Sequence, residues 1–98
     1  EEDKPVFIIF SAAWCLTCRT NEITVLSTQE ILEAFRERGV EVFYGDFTSP
    51  DPVIAQWIRD YGRAGVPVYA YYAPGSKTAR ILPEILTKGI ILSTLPNN

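Results

Sequence analysis

One pair of residues in this sequence has the type and spacing for redox chemistry, Cys15 and Cys18. They are the only two cysteines among 98 residues, and they lie in the segment Trp-Cys-Leu-Thr-Cys, which directly follows the apolar run of residues 6–10. A Cys-x-x-Cys motif between a strand and a helix is typical of a thiol–disulfide redox centre. The free N–H groups and the dipole at the helix N-terminus favour a thiolate at the first cysteine. We therefore predict that Cys15 is the nucleophile and Cys18 the resolving thiol.

Two other uses of the same cysteines remain open at this point. A zinc site normally has four ligands, mostly Cys or His, and the chain contains no histidine and no third cysteine. Zinc would therefore need carboxylates or a second chain. A purely structural disulfide would close a very short loop, which contributes little entropy. We favour the redox role, with no metal and with the Cys15–Cys18 disulfide as the only redox group.

Composition and charge limit the class of protein. The chain is 47% hydrophobic and 21% charged, as in an ordinary globular domain. Its net charge of −3 argues against nucleic acid and against a polybasic membrane patch. No apolar stretch approaches the roughly 20 residues needed to span a bilayer. A length of 98 residues fits one small domain, and because the sequence shows no pattern of an interface we expect a monomer. The sequence has no methionine, even at its first position, so we expect this domain to be taken from a longer membrane protein.

The pattern of apolar residues predicts the elements that position the thiols. A buried strand covers residues 4–10. A helix over residues 15–26 should kink or restart at a capping-box pattern in residues 27–30, and it should end at Gly39. A second strand is predicted for residues 40–47. Asp51 and Pro52 begin the next helix, which ends at Gly62.

The C-terminal part predicts two more strands and a short helix. The third strand covers residues 68–72. The fourth covers residues 79–86, and because Pro83 removes a hydrogen-bond donor from it, we expect an edge strand or a bulge. Thr87 caps a last helix over residues 88–95. The order β-α-β-α-β-β-α predicts an α/β fold with a mixed four-stranded sheet flanked by helices, in which the first three strands are parallel and the fourth is antiparallel.

This order resembles the thioredoxin fold, because Trp-Cys-x-x-Cys follows the first strand and Val-Pro precedes the third. The segments 13–22, 45–52, 61–69 and 82–87 resemble, more narrowly, the C-terminal thioredoxin-like domain of the DsbD/ScsB family of membrane thiol:disulfide interchange proteins. The resemblance covers nearly the whole chain. These 98 residues have no counterpart of the extra N-terminal strand and helix of full-length thioredoxin, which indicates either a minimal fold or a sequence taken from a longer chain.

The resemblance implies a protein-disulfide reductase. In that family a transmembrane domain of the same protein donates electrons to this domain, which then reduces oxidised periplasmic thiol proteins. The implied location is the periplasm, as a soluble domain of an inner-membrane protein. Two alternatives are a free-standing thioredoxin-like reductase, such as one that serves cytochrome c maturation, and a non-catalytic binding module with an inert disulfide.

The proton of the resolving thiol raises a separate question. Many thioredoxins have a buried Asp six residues before the first cysteine, a proposed proton acceptor, whereas this chain has Ile9 there. Glu22 lies four residues after Cys18, hence on the same side of a helix, and could carry this proton. The family has an acidic residue at this place. Alternatively, Glu22 is an ordinary surface residue paired with Arg19.

The resemblance also implies a substrate-binding rim. Pro67 should follow a cis peptide bond and face the two cysteines, and Val66 would then offer its backbone N–H and C=O to a substrate chain. Trp14 flanks the motif and is expected at the substrate surface. Trp57 fits an apolar helical stripe and is expected to pack. Asp46, at a strand end, could belong to the site or cap the following turn.

Overall fold

The fold is a mixed sheet with helices on both faces. The computed structural model describes residues 4–96, and this part of the chain contains a four-stranded sheet in the order β2-β1-β3-β4. In chain order the elements are β1 (Val6–Ser11), α1 (Leu16–Asn21), a π-helical turn (Glu22–Leu26), α2 (Gln29–Glu37), β2 (Glu41–Asp46), α3 (Pro52–Asp60), β3 (Val68–Tyr72), β4 (Arg80–Ile81) and α4 (Lys88–Thr94). The predicted α/β architecture with a mixed sheet is confirmed.

The direction of β3 differs from the prediction. Strands β1 and β2 are parallel, but β3 is antiparallel to β1, so the expected parallel trio is wrong. The register pairs Phe10 with Val68, which places the start of β3 beside the end of β1. The reason is that the segment after α3 returns to the carboxyl end of β1 before β3 begins. The same path brings Val66 next to the two cysteines.

The two faces of β1 bury different cores, as the alternation of strand side chains requires. On one face, Phe7 and Ile9 pack in a cluster with residues of α2 and α4, including Ile31 and Ile91. On the other face, Phe10 packs with Ile58 of α3. The α2–α4 face is thus the larger of the two cores, and Ser11, two residues after Ile9, belongs to the same face.

The helix after the cysteines is interrupted twice. The predicted continuous helix over residues 15–26 is instead α1 followed by the π-helical turn, in which the Ser27 N–H donates to the Glu22 carbonyl at 2.7 Å. The wider turn allows both Val25 and Leu26 to be buried. The predicted restart is confirmed, with Thr28 as the N-cap of α2.

The fourth strand is much shorter than predicted. It comprises only Arg80–Ile81, which pairs antiparallel with β3, whereas Pro83 lies beyond the strand. Proline has no N–H for the ladder, so pairing cannot continue past Leu82, whose N–H still donates to the Tyr69 carbonyl at 2.9 Å.

The predicted helix starts in the second half of the chain are confirmed. Asp51 caps α3, with Pro52 in its first turn, and Thr87 caps α4. The two predicted helix ends at Gly39 and Gly62 have positive φ angles of 68° and 80°, which glycine adopts without strain. No helix within residues 4–96 is long and apolar enough to cross a membrane.

Candidate active site

Cys15 occupies the N-cap position of α1. Its backbone is extended, with φ −90° and ψ 109°, and its sulfur accepts a hydrogen bond from the Cys18 N–H at 3.2 Å. Neither cysteine forms a disulfide in this structure. Cys15 retains 8% exposure whereas Cys18 is fully buried. The backbone N–H thus stabilises negative charge on the sulfur that is nearer to solvent.

Cys18 lies in an apolar environment that opposes its ionisation. Its sulfur belongs to a small buried cluster with Ala12 and Cys15, against which Val66 packs. Burial, and next a hydrogen bond with Cys15, raises the pKa of the Cys18 thiol from its usual 9.0 to about 11, although a hydrogen bond with the Ser11 hydroxyl acts in the opposite direction. Cys18 is therefore a protonated thiol near neutral pH, and it must lose a proton before it can attack a disulfide.

Glu22 is held on the side of α1 that faces β1 and β2. The hydroxyl of Ser11 donates to Glu22 Oε2 at 2.8 Å, and the Tyr44 hydroxyl donates to the same oxygen at 3.4 Å. Arg19 Nε lies 3.9 Å from Oε1. The surface pairing with Arg19 is thus present but long, and the shortest contact of the carboxylate is with a buried serine.

Glu22 also borders an open cleft. The cleft has a volume of about 250 Å³. Its lining consists of five polar residues, Arg19, Glu22, Tyr44, Asp46 and Thr48, together with Ala12 and Ala13. Because the Glu22 side chain is about one quarter exposed, at 26%, its carboxylate reaches water on this side.

Trp14 is fixed by a turn at the end of β2. Its indole Nε1–H donates to the Thr48 carbonyl, and the Ala13 N–H donates to Thr48 Oγ1, both at 2.9 Å. Thr48 is held in turn by Asp46 Oδ1, which accepts from its N–H and its hydroxyl. These two bonds lower the pKa of Asp46, first through the hydroxyl and then through the backbone N–H. Asp46 therefore supports the turn that positions the 62% exposed Trp14 beside the cysteines.

The Val66–Pro67 segment also borders the cysteines. The peptide bond between these residues is cis, as expected. Pro67 is buried, and the half-buried Val66 contacts the cluster that contains Cys15 and Cys18. The structure therefore brings Trp14, Cys15 and Val66 to one region, although their proposed contacts with a substrate remain predictions. Trp57, expected to pack, contacts the rings of Phe10 and Tyr61 but is 45% exposed.

Asn21 is a structural residue of the site that the sequence analysis did not identify. Its side chain is buried, and Nδ2 donates to the Tyr69 hydroxyl at 2.9 Å and to the Glu84 carbonyl at 2.7 Å. Its Oδ1 accepts from the Leu86 N–H at 3.1 Å. These bonds satisfy backbone groups that the early end of β4 leaves without strand partners. Asn21 thereby joins the helix of the active site to the segment after Pro83.

Ser11 and Thr48 were also missed. A signal for Ser11 was available, because it is in phase with Phe7 and Ile9 along β1 and so must point into the same face. The sequence carries no comparable signal for Thr48, since its partners Ala13 and Trp14 are more than thirty positions away. Within residues 4–96, no three His, Cys, Asp or Glu side chains are grouped so that they could hold a metal ion.

Comparison with known proteins agrees with this geometry. A search of curated proteins finds no match. Among solved structures, the C-terminal domain of Neisseria meningitidis DsbD in its oxidised form superposes with a TM-score of 0.75 at 24% identity, covering 95% of this chain and 80% of that domain. A thioredoxin from Thermus thermophilus gives a TM-score of 0.70 at 19% identity, covering 92% and 69%. A DsbH oxidoreductase gives a TM-score of 0.60 at 18% identity, covering 83% of this chain and 59% of that one.

These structural matches establish the fold. The family itself is established by sequence, because the sequence model of a thioredoxin-like family matches residues 1–74. This range is most of the chain and includes Cys15, Cys18 and Pro67. The protein belongs to the thioredoxin-like family.

Proposed function

We propose that this chain is a protein-disulfide reductase that acts through Cys15 and Cys18. The observation that carries the proposal is the contrast between the two sulfurs. Cys15 lies at the start of α1 and accepts the Cys18 N–H at 3.2 Å, whereas Cys18 is fully buried with a raised pKa. One sulfur is thus suited to attack a partner, and the other to remain protonated until a mixed disulfide has formed.

The reaction has two exchange steps. In the first, the Cys15 thiolate attacks a disulfide of the partner, one partner sulfur leaves as a thiolate, and a mixed disulfide forms. In the second, Cys18 loses its proton and attacks the sulfur of Cys15. The bond to the partner then breaks, the second partner sulfur leaves, and Cys15 and Cys18 are joined. Two electrons pass from the domain to the partner, which is released as a dithiol.

The rim around the cysteines supports a protein substrate. Trp14 is held in an exposed position by Thr48, and Val66 packs against the cluster that contains Cys15. An extended segment of a partner could pair with the Val66 backbone while its disulfide meets Cys15. The substrate class is therefore the disulfide of another protein, bound through its main chain and through apolar contact with Trp14.

Our proposal for the source and destination of the electrons is supported by the similarity to the DsbD C-terminal domain. On this basis a transmembrane domain of the same protein re-reduces the Cys15–Cys18 disulfide, and the acceptors are oxidised thiol proteins of the periplasm. The domain would then lie on the periplasmic side of the inner membrane, and it needs no cofactor besides its own disulfide.

The reduction potential of the Cys15–Cys18 pair tests the direction of electron flow. Equilibration with glutathione and dithiothreitol buffers, followed by thiol trapping, should give roughly −230 to −270 mV, near the value for thioredoxin. A potential near about −120 mV would identify an oxidant and contradict the reductase proposal. A disulfide that dithiothreitol cannot reduce in the folded protein would leave only a structural role.

An activity assay with matched variants tests the assigned roles. Reduced protein should reduce the disulfides of insulin, and Cys15→Ser should abolish this activity. Cys18→Ser should instead accumulate a covalent complex with the substrate, because the first step remains possible. If Cys15→Ser and not Cys18→Ser gave the trapped complex, the two roles would have to be exchanged.

A further inference from the structure

The second exchange step requires an acceptor for the proton of Cys18. The thiol is fully buried, and burial raises its pKa to about 11, so few molecules ionise spontaneously near neutral pH. Ile9 is apolar and lies in the large core, so it cannot accept a proton. Another group in contact with the Cys18 sulfur must fulfil this role.

Ser11 is the polar side chain in the right place. It ends β1 on the same face as Ile9, one pleat closer to α1, and is 1% exposed. Its hydroxyl donates to Glu22 Oε2 at 2.8 Å, and it is also close enough to the Cys18 thiol to lower the pKa of that thiol. A hydroxyl has one proton to donate and lone pairs to accept another, so while Ser11 donates to Glu22 its oxygen can accept the proton of Cys18.

Glu22 provides the outer end of this path. Its carboxylate reaches the polar cleft beside β2 and so can release a proton to water. Arg19 on α1 and the Tyr44 hydroxyl on β2 face the carboxylate, at 3.9 Å and 3.4 Å. On β3, the hydroxyl of Tyr69 accepts from Asn21, and burial raises its pKa, so it remains a neutral phenol.

We propose that Ser11 conducts the proton of Cys18 to Glu22 during resolution of the mixed disulfide. The proposal rests on the proposed function. As the Cys18 sulfur bonds to Cys15, its proton moves to the Ser11 oxygen while the Ser11 proton moves to Glu22 Oε2. The partner sulfur leaves with the electron pair of the broken bond. Glu22 then returns its proton to water in the cleft, and Ser11 ends the step as a hydroxyl.

Stopped-flow reaction of the reduced protein with excess dithionitrobenzoate tests this path. Attack by Cys15 releases one coloured thionitrobenzoate anion, and attack by Cys18 releases a second in a step whose rate is independent of reagent concentration. Ser11→Ala should slow the second step about tenfold near neutral pH. The effect is below the usual range for general acid–base groups because water in the cleft takes over part of the role.

The dependence of this rate on pH distinguishes a proton path from a packing effect. In the Ser11→Ala variant the second step should accelerate with pH and converge with the unmodified protein as pH approaches 11, where Cys18 ionises without help. Glu22→Gln should give the same profile, and the double variant should be no slower than either single variant. Ser11→Thr, which retains the hydroxyl, should restore most of the rate.

A control removes a buried hydroxyl elsewhere. Thr94 is buried in α4 and donates to the Ile90 carbonyl at 2.7 Å. Thr94→Val should lower stability without changing the second step. An unchanged second step in Ser11→Ala, or a multiplied effect in the double variant, would overturn the proton path while leaving the reductase proposal intact. Absence of the second release in the unmodified protein would instead overturn the reductase proposal.

Discussion

Asn21 and Glu22 are consecutive polar residues, yet they serve two different regions of the molecule. Asn21 faces β3 and the segment after β4, where its hydrogen bonds with Tyr69, Glu84 and Leu86 occupy both ends of its buried amide. Glu22 faces β1 and the polar cleft, where it is partly exposed. The Asn21 region therefore has little freedom to exchange partners, whereas the Glu22 region can exchange protons with water. A polar residue that is buried with all its hydrogen bonds made, such as Asn21, is structural, whereas one that is partly exposed, such as Glu22, is available for chemistry.

The largest effect is expected at Asn21. Asn21→Ala leaves the Tyr69 hydroxyl, the Glu84 carbonyl and the Leu86 N–H without their partner in a buried place, so the free energy of unfolding should fall by about 3 kcal/mol. Urea denaturation measures this loss. The disulfide-exchange rate of the molecules that remain folded should change little. A slow second exchange step at unchanged stability would assign Asn21 to the chemical region and remove the contrast.

Alkaline pH should have the next largest effect, because Cys18 lies between the two regions. In the unfolded chain its thiol ionises near pH 9, whereas in the folded protein it ionises near pH 11. The folded state therefore holds the proton more tightly, and between these values reduced protein should lose about 2 kcal/mol of stability as pH rises. The measurement is denaturation of the reduced protein across this range.

Cys18→Ala is the reference for that measurement. It retains the other groups that titrate in alkali, including Tyr69, and should lose less stability over the same interval. Equal losses in the two proteins would mean that the burial of Cys18 does not oppose its ionisation.

Glu22→Gln should have a smaller effect, and unlike Asn21→Ala it should change the rate of exchange rather than the stability. The second exchange step should slow about tenfold near neutral pH, which corresponds to about 1.4 kcal/mol in the barrier. The unfolding free energy should change by less than about 1 kcal/mol, since Gln can still accept from Ser11. Stopped-flow release of thionitrobenzoate and urea denaturation measure the two quantities. A large loss of stability would show that Glu22, like Asn21, is mainly structural.

The smallest effect is expected at Tyr44. Its hydroxyl is a distant partner of Glu22, at 3.4 Å, on a side chain that is 58% exposed. Tyr44→Phe should therefore change the second exchange step by less than about twofold and leave stability nearly unchanged. The same stopped-flow experiment applies. A tenfold change would mean that Tyr44 takes a direct part in the transfer of the proton.

The sequence was sufficient for the features that depend on local chemistry. Asp51, Thr28 and Thr87 are N-caps as their residue types indicate, and Cys15 precedes a helix as its position after an apolar strand predicts. These features depend on a few neighbouring residues, whose preferences are known from their side chains.

The features that were missed or wrong depend on where distant segments return. The direction of β3 depends on the path of the chain between α3 and Val68. The hydrogen bonds of the backbone after Pro83 depend on Asn21, which is more than sixty positions away in the sequence. Ser11 could be placed on a face by alternation, but its bond to Glu22 required the position of α1 over β1. No local preference contains this information.

The central position of β1 also has a consequence for the dynamics of the site. β1 is paired along its whole length with β2 and over five residues with β3, whereas β4 is joined to β3 by only two residue pairs. Amide hydrogens of β1 should therefore exchange with solvent only on global unfolding, and those of β4 by local opening. Ser11 ends the slowest-exchanging strand, while Trp14 and Val66 lie in loops. The proton path thus begins on the strand that opens least often. The surface for partners is formed by loops, which can adjust to different partners.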